Sequence, residues 1–187
     1  MATWYILHVC LQTDISMVVL RLFFDDNEGN MPISENDLAD VRQAWGDGLI
    51  ELSRIFEFDG IQKARSFANE LLDELYGFDL GPILFKPTLS GGAKTFRNDR
   101  EGTLSYFVGQ NPNFPDDTGF GIKYWREVHF HPGNSYIDGS VGMWMGWVTL
   151  IDKNGDITKV DKSWGYKKDN SGKLKIVLHH SSIPYAE

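Results

Sequence analysis

The chain of 187 residues holds one cysteine, Cys10, so neither an intrachain disulfide framework nor a cysteine-based zinc site is available to it. That composition suits a reducing compartment, and a cytoplasmic location is the expectation. Positive charge is also scarce. Eighteen Lys and Arg against 26 Asp and Glu leave a net charge of −8, a field that repels phosphate backbones and anionic lipid surfaces. No nucleic acid and no membrane are therefore expected as partners. Long apolar runs are missing as well: Trp4-Tyr5-Ile6-Leu7 and Met17-Val18-Val19-Leu20 are separated by Gln12-Thr13-Asp14, and neither approaches the roughly 18 residues of a spanning helix. Neither a signal peptide nor an anchor is read from these patches. The sequence also lacks a GxSxG elbow, an HExxH helix, a Walker loop and a GxGxxG turn, which removes the best-marked hydrolase, metalloprotease, NTPase and dinucleotide chemistries.

What is present is aromatic and apolar. Six Trp, seven Tyr and twelve Phe within a 42% hydrophobic chain describe a folded protein of one domain. Residues 1–30 end in the polar stretch Asp25-Asp26-Asn27-Glu28-Gly29-Asn30 and read as an appendage of unassigned role, and residues 31–187 read as the domain. Ser34-Glu35-Asn36-Asp37 has the spacing of a capping box. Leu38, Val41, Trp45, Leu49, Leu52, Ile55 and Phe56 then recur at helical steps to about Glu57, and Ile61, Ala64, Phe67, Ala68, Leu71, Leu72 and Leu75 repeat the pattern up to Gly77. From Ile83 the period falls from about 3.6 to 2. Strands are expected at about 83–89, 94–97, 103–108, 122–131, 141–151, 157–166 and 173–181, with Asn154-Gly155 as a hairpin turn. Two helices followed by antiparallel strands without helical crossovers give an α+β domain, a strongly curved antiparallel sheet wrapped over N-terminal helices.

The last strand carries the densest polar chemistry. Lys173-Leu174-Lys175-Ile176-Val177-Leu178 changes abruptly to His179-His180-Ser181-Ser182, and alternation puts His179 and Ser181 on one face and His180 and Ser182 on the other. We take His179 and Ser181 as the site pair, although Leu174, Ile176 and Leu178 share the opposite parity and leave the choice open. Thr88 follows Pro87, which marks an edge or bulge. Tyr106 lies within Leu104-Ser105-Tyr106-Phe107-Val108, where a buried phenol must find a partner. His129 and His131, with Glu127 on the same parity, have a spacing that some metal sites use, but no third ligand is convincing.

Phe85-Lys86-Pro87-Thr88, Leu104-Ser105-Tyr106-Phe107, Trp125-Arg126-Glu127-Val128-His129-Phe130, Gly142-Met143-Trp144-Met145-Gly146 and the closing His179-His180-Ser181-Ser182-Ile183-Pro184-Tyr185 together resemble the iota-class carbonic anhydrases, over about Ser34 to Tyr185. The resemblance implies a cone-shaped fold similar to nuclear transport factor 2, often in homodimers, and interconversion of carbon dioxide and bicarbonate without a metal or other cofactor. It implies Thr88, Tyr106 and Ser181 around the substrate, with His179 beside Ser181. Two other readings stay open: a metal-dependent hydratase using His129, His131 or His180, and a non-catalytic ligand-binding or dimerisation module, since one fold serves many functions. Without a metal the roughly 9 pKa units by which zinc acidifies its water, about 12 kcal/mol, are missing. Positioning and proton transfer by side chains must then carry the rate.

Overall fold

The computed structural model describes residues 32–185. Ser34 caps helix α1 (Glu35–Asp59), its hydroxyl accepting from the Asp37 backbone N–H while the Asp37 carboxylate accepts from the Ser34 backbone N–H. Such a cap contributes about 1 kcal/mol. Helix α2 (Ile61–Leu75) follows across Gly60, and the apolar stripes of both helices are buried, with Leu38, Trp45, Leu49, Leu52, Ala64, Ala68 and Leu72 in the core.

The sheet runs in the order β1-β6-β5-β4-β2. Its strands are β1 (Leu84–Lys86), β2 (Trp125–Phe130), β3 (Asn134–Asp138), β4 (Val141–Asp152), β5 (Ile157–Lys168) and β6 (Leu174–Ser182). β2 and β3 follow one another along one edge of β4, pairing with residues 148–152 and 141–145 respectively. The β4–β5 hairpin turns at Asn154-Gly155 as expected, with Gly155 at a φ of 85°. This curved sheet over helices is the anticipated α+β architecture, with corrections. The sheet is mixed, because β1 pairs with β6 in parallel. β1 is three residues long where seven were expected. Residues 94–97 form no strand, and Lys94 closes a short 3-10 turn, Gly92–Lys94. β3 was not anticipated, since Asn134-Ser135-Tyr136-Ile137-Asp138 is a short, half-exposed edge strand with little apolar signal.

The largest correction is residues 103–108, which belong to helix α3 (Arg100–Val108) and not to a strand. Asp99 caps it, accepting from the Gly102 N–H at 2.7 Å. Gly102, Thr103, Ser105, Tyr106, Phe107 and Val108 are all buried, and a helix buried on most faces shows no amphipathic period to read. Gly109 ends it at a φ of 64°, where a Cβ would also stand 2.8 Å from the Asp117 carbonyl.

Candidate active site

β6 reaches the interior through a bulge. Gly165 pairs with Leu178 but Tyr166 pairs with Ile176, leaving Val177 unpaired. The extra residue reverses the alternation, so Ile176 joins the interior on one side of the bulge while His179 and Ser181 do so on the other. The two parities that conflicted in the sequence are thereby both satisfied. His180 turns outward into a groove with Leu84, Lys86, Phe96, Asn98 and Leu178, and Ser182 donates to the Asp161 carboxylate.

Three of the expected residues come together. Thr88, in the turn after β1, donates from Oγ1 to Ser181 Oγ at 2.7 Å, and Ser181 Oγ donates onward to the Asp161 carbonyl at 3.1 Å. Lys86 Nζ holds the Ser181 carbonyl at 2.9 Å. Tyr106 arrives from α3, stacked on Phe120 and edge-on to Phe85. Its hydroxyl is buried and has no hydrogen-bond partner among the described residues, although Thr88 and the backbone of Thr88 and Leu89 lie near enough to favour the phenolate. Burial dominates and pushes the phenol above its ordinary range.

His179 is engaged on both ring nitrogens. Tyr76 OH lies 2.8 Å from Nδ1 and Lys162 Nζ lies 2.9 Å from Nε2, and Trp45 Nε1 donates to Tyr76 OH at 3.1 Å. Phe85 stacks on the imidazole with ring centroids 4.7 Å apart. Burial first, then the nearby Lys162, hold the imidazole's pKa well below its usual value. With both nitrogens occupied, His179 has none to offer a substrate in this arrangement.

Sequence reasoning missed Tyr76, Trp45 and Lys162. Lys162 left a signal: Val160, Lys162, Trp164 and Tyr166 share one parity in β5, and all are buried. Lys162 is 1% exposed, forms no ion pair with a carboxylate among the described residues, and has its Nζ over the Trp45 ring at 4.5 Å. Burial pushes its amine down to about 7, with Asp161 opposing weakly.

His129, His131 and His180 do not form a set of ligands. His129 pairs with Glu127 and His131 with Thr149 Oγ1, while His180 faces the separate groove on the outer side of β6. Among the described residues no group of three or more His, Cys, Asp or Glu is arranged to hold a metal ion.

A family model of metal-independent carbonic anhydrases matches residues 36–183. The chain belongs to that family. A metal-independent carbonic anhydrase from Nostoc sp. (strain PCC 7120 / SAG 25.82 / UTEX 2576) is 41% identical over 158 residues, spanning 84% of this chain and 77% of the relative. The crystal structure of the iota-carbonic anhydrase from a cyanobacterium, complexed with bicarbonate, matches this carbonic anhydrase fold with a TM-score of 0.82 at 41% identity, covering 84% of this chain and 96% of that one. A dehydratase-like protein of the NTF2-like family from Streptomyces avermitilis matches with a TM-score of 0.52 at 11% identity, covering 81% of this chain and 96% of its own. An NTF2-like protein from Novosphingobium aromaticivorans matches with a TM-score of 0.51 at 8% identity, covering 94% and 91%. These last two likenesses show the fold alone.

Proposed function

We propose that this carbonic anhydrase interconverts carbon dioxide and bicarbonate at Thr88, Tyr106 and Ser181, with His179 as a supporting group. The observation that carries the reading is the Tyr106 hydroxyl, buried without a partner among the described residues and beside a directed hydroxyl pair. A buried polar group left unpaired costs about 1–3 kcal/mol, and one poised to donate to a ligand oxygen meets that cost when the ligand arrives.

The direction of the pair supports a division of roles. Thr88 spends its proton on Ser181, and Ser181 spends its own on the Asp161 carbonyl, so Thr88 Oγ1 keeps lone pairs to accept from the attacking water. Accepting that hydrogen bond orients the water and raises its nucleophilicity. In this reading Tyr106, whose depressed acidity keeps it a donor, hydrogen-bonds the carbon dioxide oxygen on which negative charge develops. The new C–O bond forms as a C=O π bond breaks, and the water's proton leaves to solvent or buffer, so that water and carbon dioxide become bicarbonate and H⁺. Ser181 borders a substrate oxygen and fixes the direction of Thr88. The negative net charge favours release of the anion.

The outer face of β4 presents Met143 at 49% and Met145 at 63% exposure, with Trp147 along the strand and Tyr136 opposite Met143. That apolar strip supports a homodimer, which light scattering would check. The single cysteine supports a reducing, cytoplasmic compartment. Stopped-flow carbon dioxide hydration on chelator-treated protein, with elemental analysis alongside, tests the chemistry: turnover without metal is expected, and turnover that appears only after metal is added would overturn it.

A further inference from the structure

The chain Trp45–Tyr76–His179–Lys162 is closed, and its hydrogens can be counted. Trp45 Nε1 is a donor only and occupies one lone pair of Tyr76 OH. The Tyr76 proton then has His179 Nδ1 as its acceptor, at 2.8 Å. A neutral imidazole that accepts at Nδ1 carries its hydrogen on Nε2, where Lys162 Nζ lies at 2.9 Å. Only an uncharged amine has a lone pair to receive it. If Lys162 is instead an ammonium, it donates to Nε2, the ring hydrogen moves to Nδ1, and Tyr76 accepts from both neighbours. The Tyr76 O–H is then left without a partner in a buried position. One extra proton on Lys162 thus demands the other tautomer of His179 and breaks one bond of the chain.

The chain abuts the hydration site. Lys162 pairs with Ser181 across β5 and β6, His179 stands two residues before Ser181 on the same face, and Phe85 packs on both His179 and Tyr106. We propose that Lys162 is a positioning residue of this site that works as an uncharged amine, holding His179 in its Nε2–H tautomer, and that a proton on Lys162 switches the chain and lowers hydration. This rests on the reading of Thr88, Tyr106 and Ser181 as the site.

Among the described residues no carboxylate is ion-paired with Lys162, and its burial opposes the two indole faces, which favour a cation. From α1 it meets the Trp45 ring, from its own strand the Trp164 ring, and from β6 His179. Tyr76, at the end of α2, acts through His179. The Asp161 carboxylate is taken by Ser182, the Lys86 ammonium lies on the Ser181 carbonyl, His180 faces outward, and Arg42 of α1 packs against Trp144. Burial pushes the amine down to about 7, within reach of the pH of cells.

Nitrogen-detected NMR on protein labelled at His and Lys reads the chain directly, without turnover. At pH 8.5, His179 is expected protonated on Nε2 with Lys162 as an amine, and on acidification both signals should change with one midpoint. An Nδ1–H tautomer beside an ammonium at pH 8.5, or two independent midpoints, would overturn the proposal. In kinetics, Lys162→Met should lose the acid limb of kcat/KM, along which the wild type falls about tenfold per pH unit. Lys162→Arg, always charged, should show at pH 8.5 a rate at least about tenfold below wild type. A Met variant that keeps the wild-type acid limb sinks the idea, and if neither variant folds the wild-type NMR decides alone. Failure here with hydration still lowered about tenfold or more by Thr88→Val removes the switch and leaves the site. Wild-type hydration in Thr88→Val and Tyr106→Phe removes the site, whatever the spectra show.

Discussion

Lys162 Nζ lies 2.9 Å from His179 Nε2, and both side chains are buried. The pair makes stability depend on pH. An unfolded lysine keeps its proton up to about 10.5, whereas the folded Lys162 releases it near 7, so between those values the unfolded state binds more protons and stability rises with pH. Below about 7 both states are charged and the full penalty is present. Lys162→Met removes that penalty, which at about 1.36 kcal/mol per unit has an upper value of about 5 kcal/mol, less the lost contact with His179. Urea unfolding at pH 7 and pH 9.5 is expected to show the variant gaining most at pH 7. A variant that falls equally far below wild type at both values contradicts this.

Tyr106→Phe, Thr88→Val and Ser181→Ala should each lower kcat by about tenfold or more while costing the fold at most about 1–3 kcal/mol. Thr88 and Ser181 share one hydrogen bond, so the Thr88→Val/Ser181→Ala double variant should lose much less than the product of the single losses. Independent, multiplying effects would show that the two hydroxyls do not serve one water. If Ser182→Ala is the damaging change and Ser181→Ala is silent, the site lies on the other face of β6.

Arg97 and Asp117 form an ion pair with side chains 3% and 4% exposed, and Ser105 Oγ adds a second bond to the carboxylate. The pair ties the 109–119 loop to the segment before α3, and the Ser105 bond ties it to α3 itself. Arg97→Met should destabilise by about 3–5 kcal/mol, because it strands a buried carboxylate, and Arg97→Met/Asp117→Leu should recover much of that. Thermal unfolding of these two variants and of Asp117→Leu measures it, and a double variant worse than the sum of the two singles is the contrary result.

His129→Gln/His131→Gln should leave hydration within about twofold and cost less than about 1 kcal/mol, since both imidazoles are exposed and held by single neighbours on the strand surface. Loss of turnover together with loss of a bound metal would reinstate the metal-dependent reading.

Local sequence was enough for the helical half of the domain. The Ser34 capping box, two 3.6-period stripes and Asn154-Gly155 carry their structure in neighbouring residues, and each element starts or turns where that chemistry lies. Thr88, Tyr106, His179 and Ser181 were legible as polar groups set among apolar ones, with a family resemblance to join them. Lys162 was legible by parity and passed over. Tertiary structure alone decided the rest. Whether residues 100–108 coil or extend depends on what surrounds them, because a segment buried on most faces has no period of its own. The parallel β1–β6 pairing joins residues 94 positions apart, Leu84 to Leu178. The Val177 bulge, which lets Ile176 and His179 both face inward, arises from the mismatch between β5 and β6 and has no local mark. The chain from Trp45 through Tyr76 and His179 to Lys162 crosses α1, the end of α2, β6 and β5, so its bonds and its proton exist only once those elements are packed together.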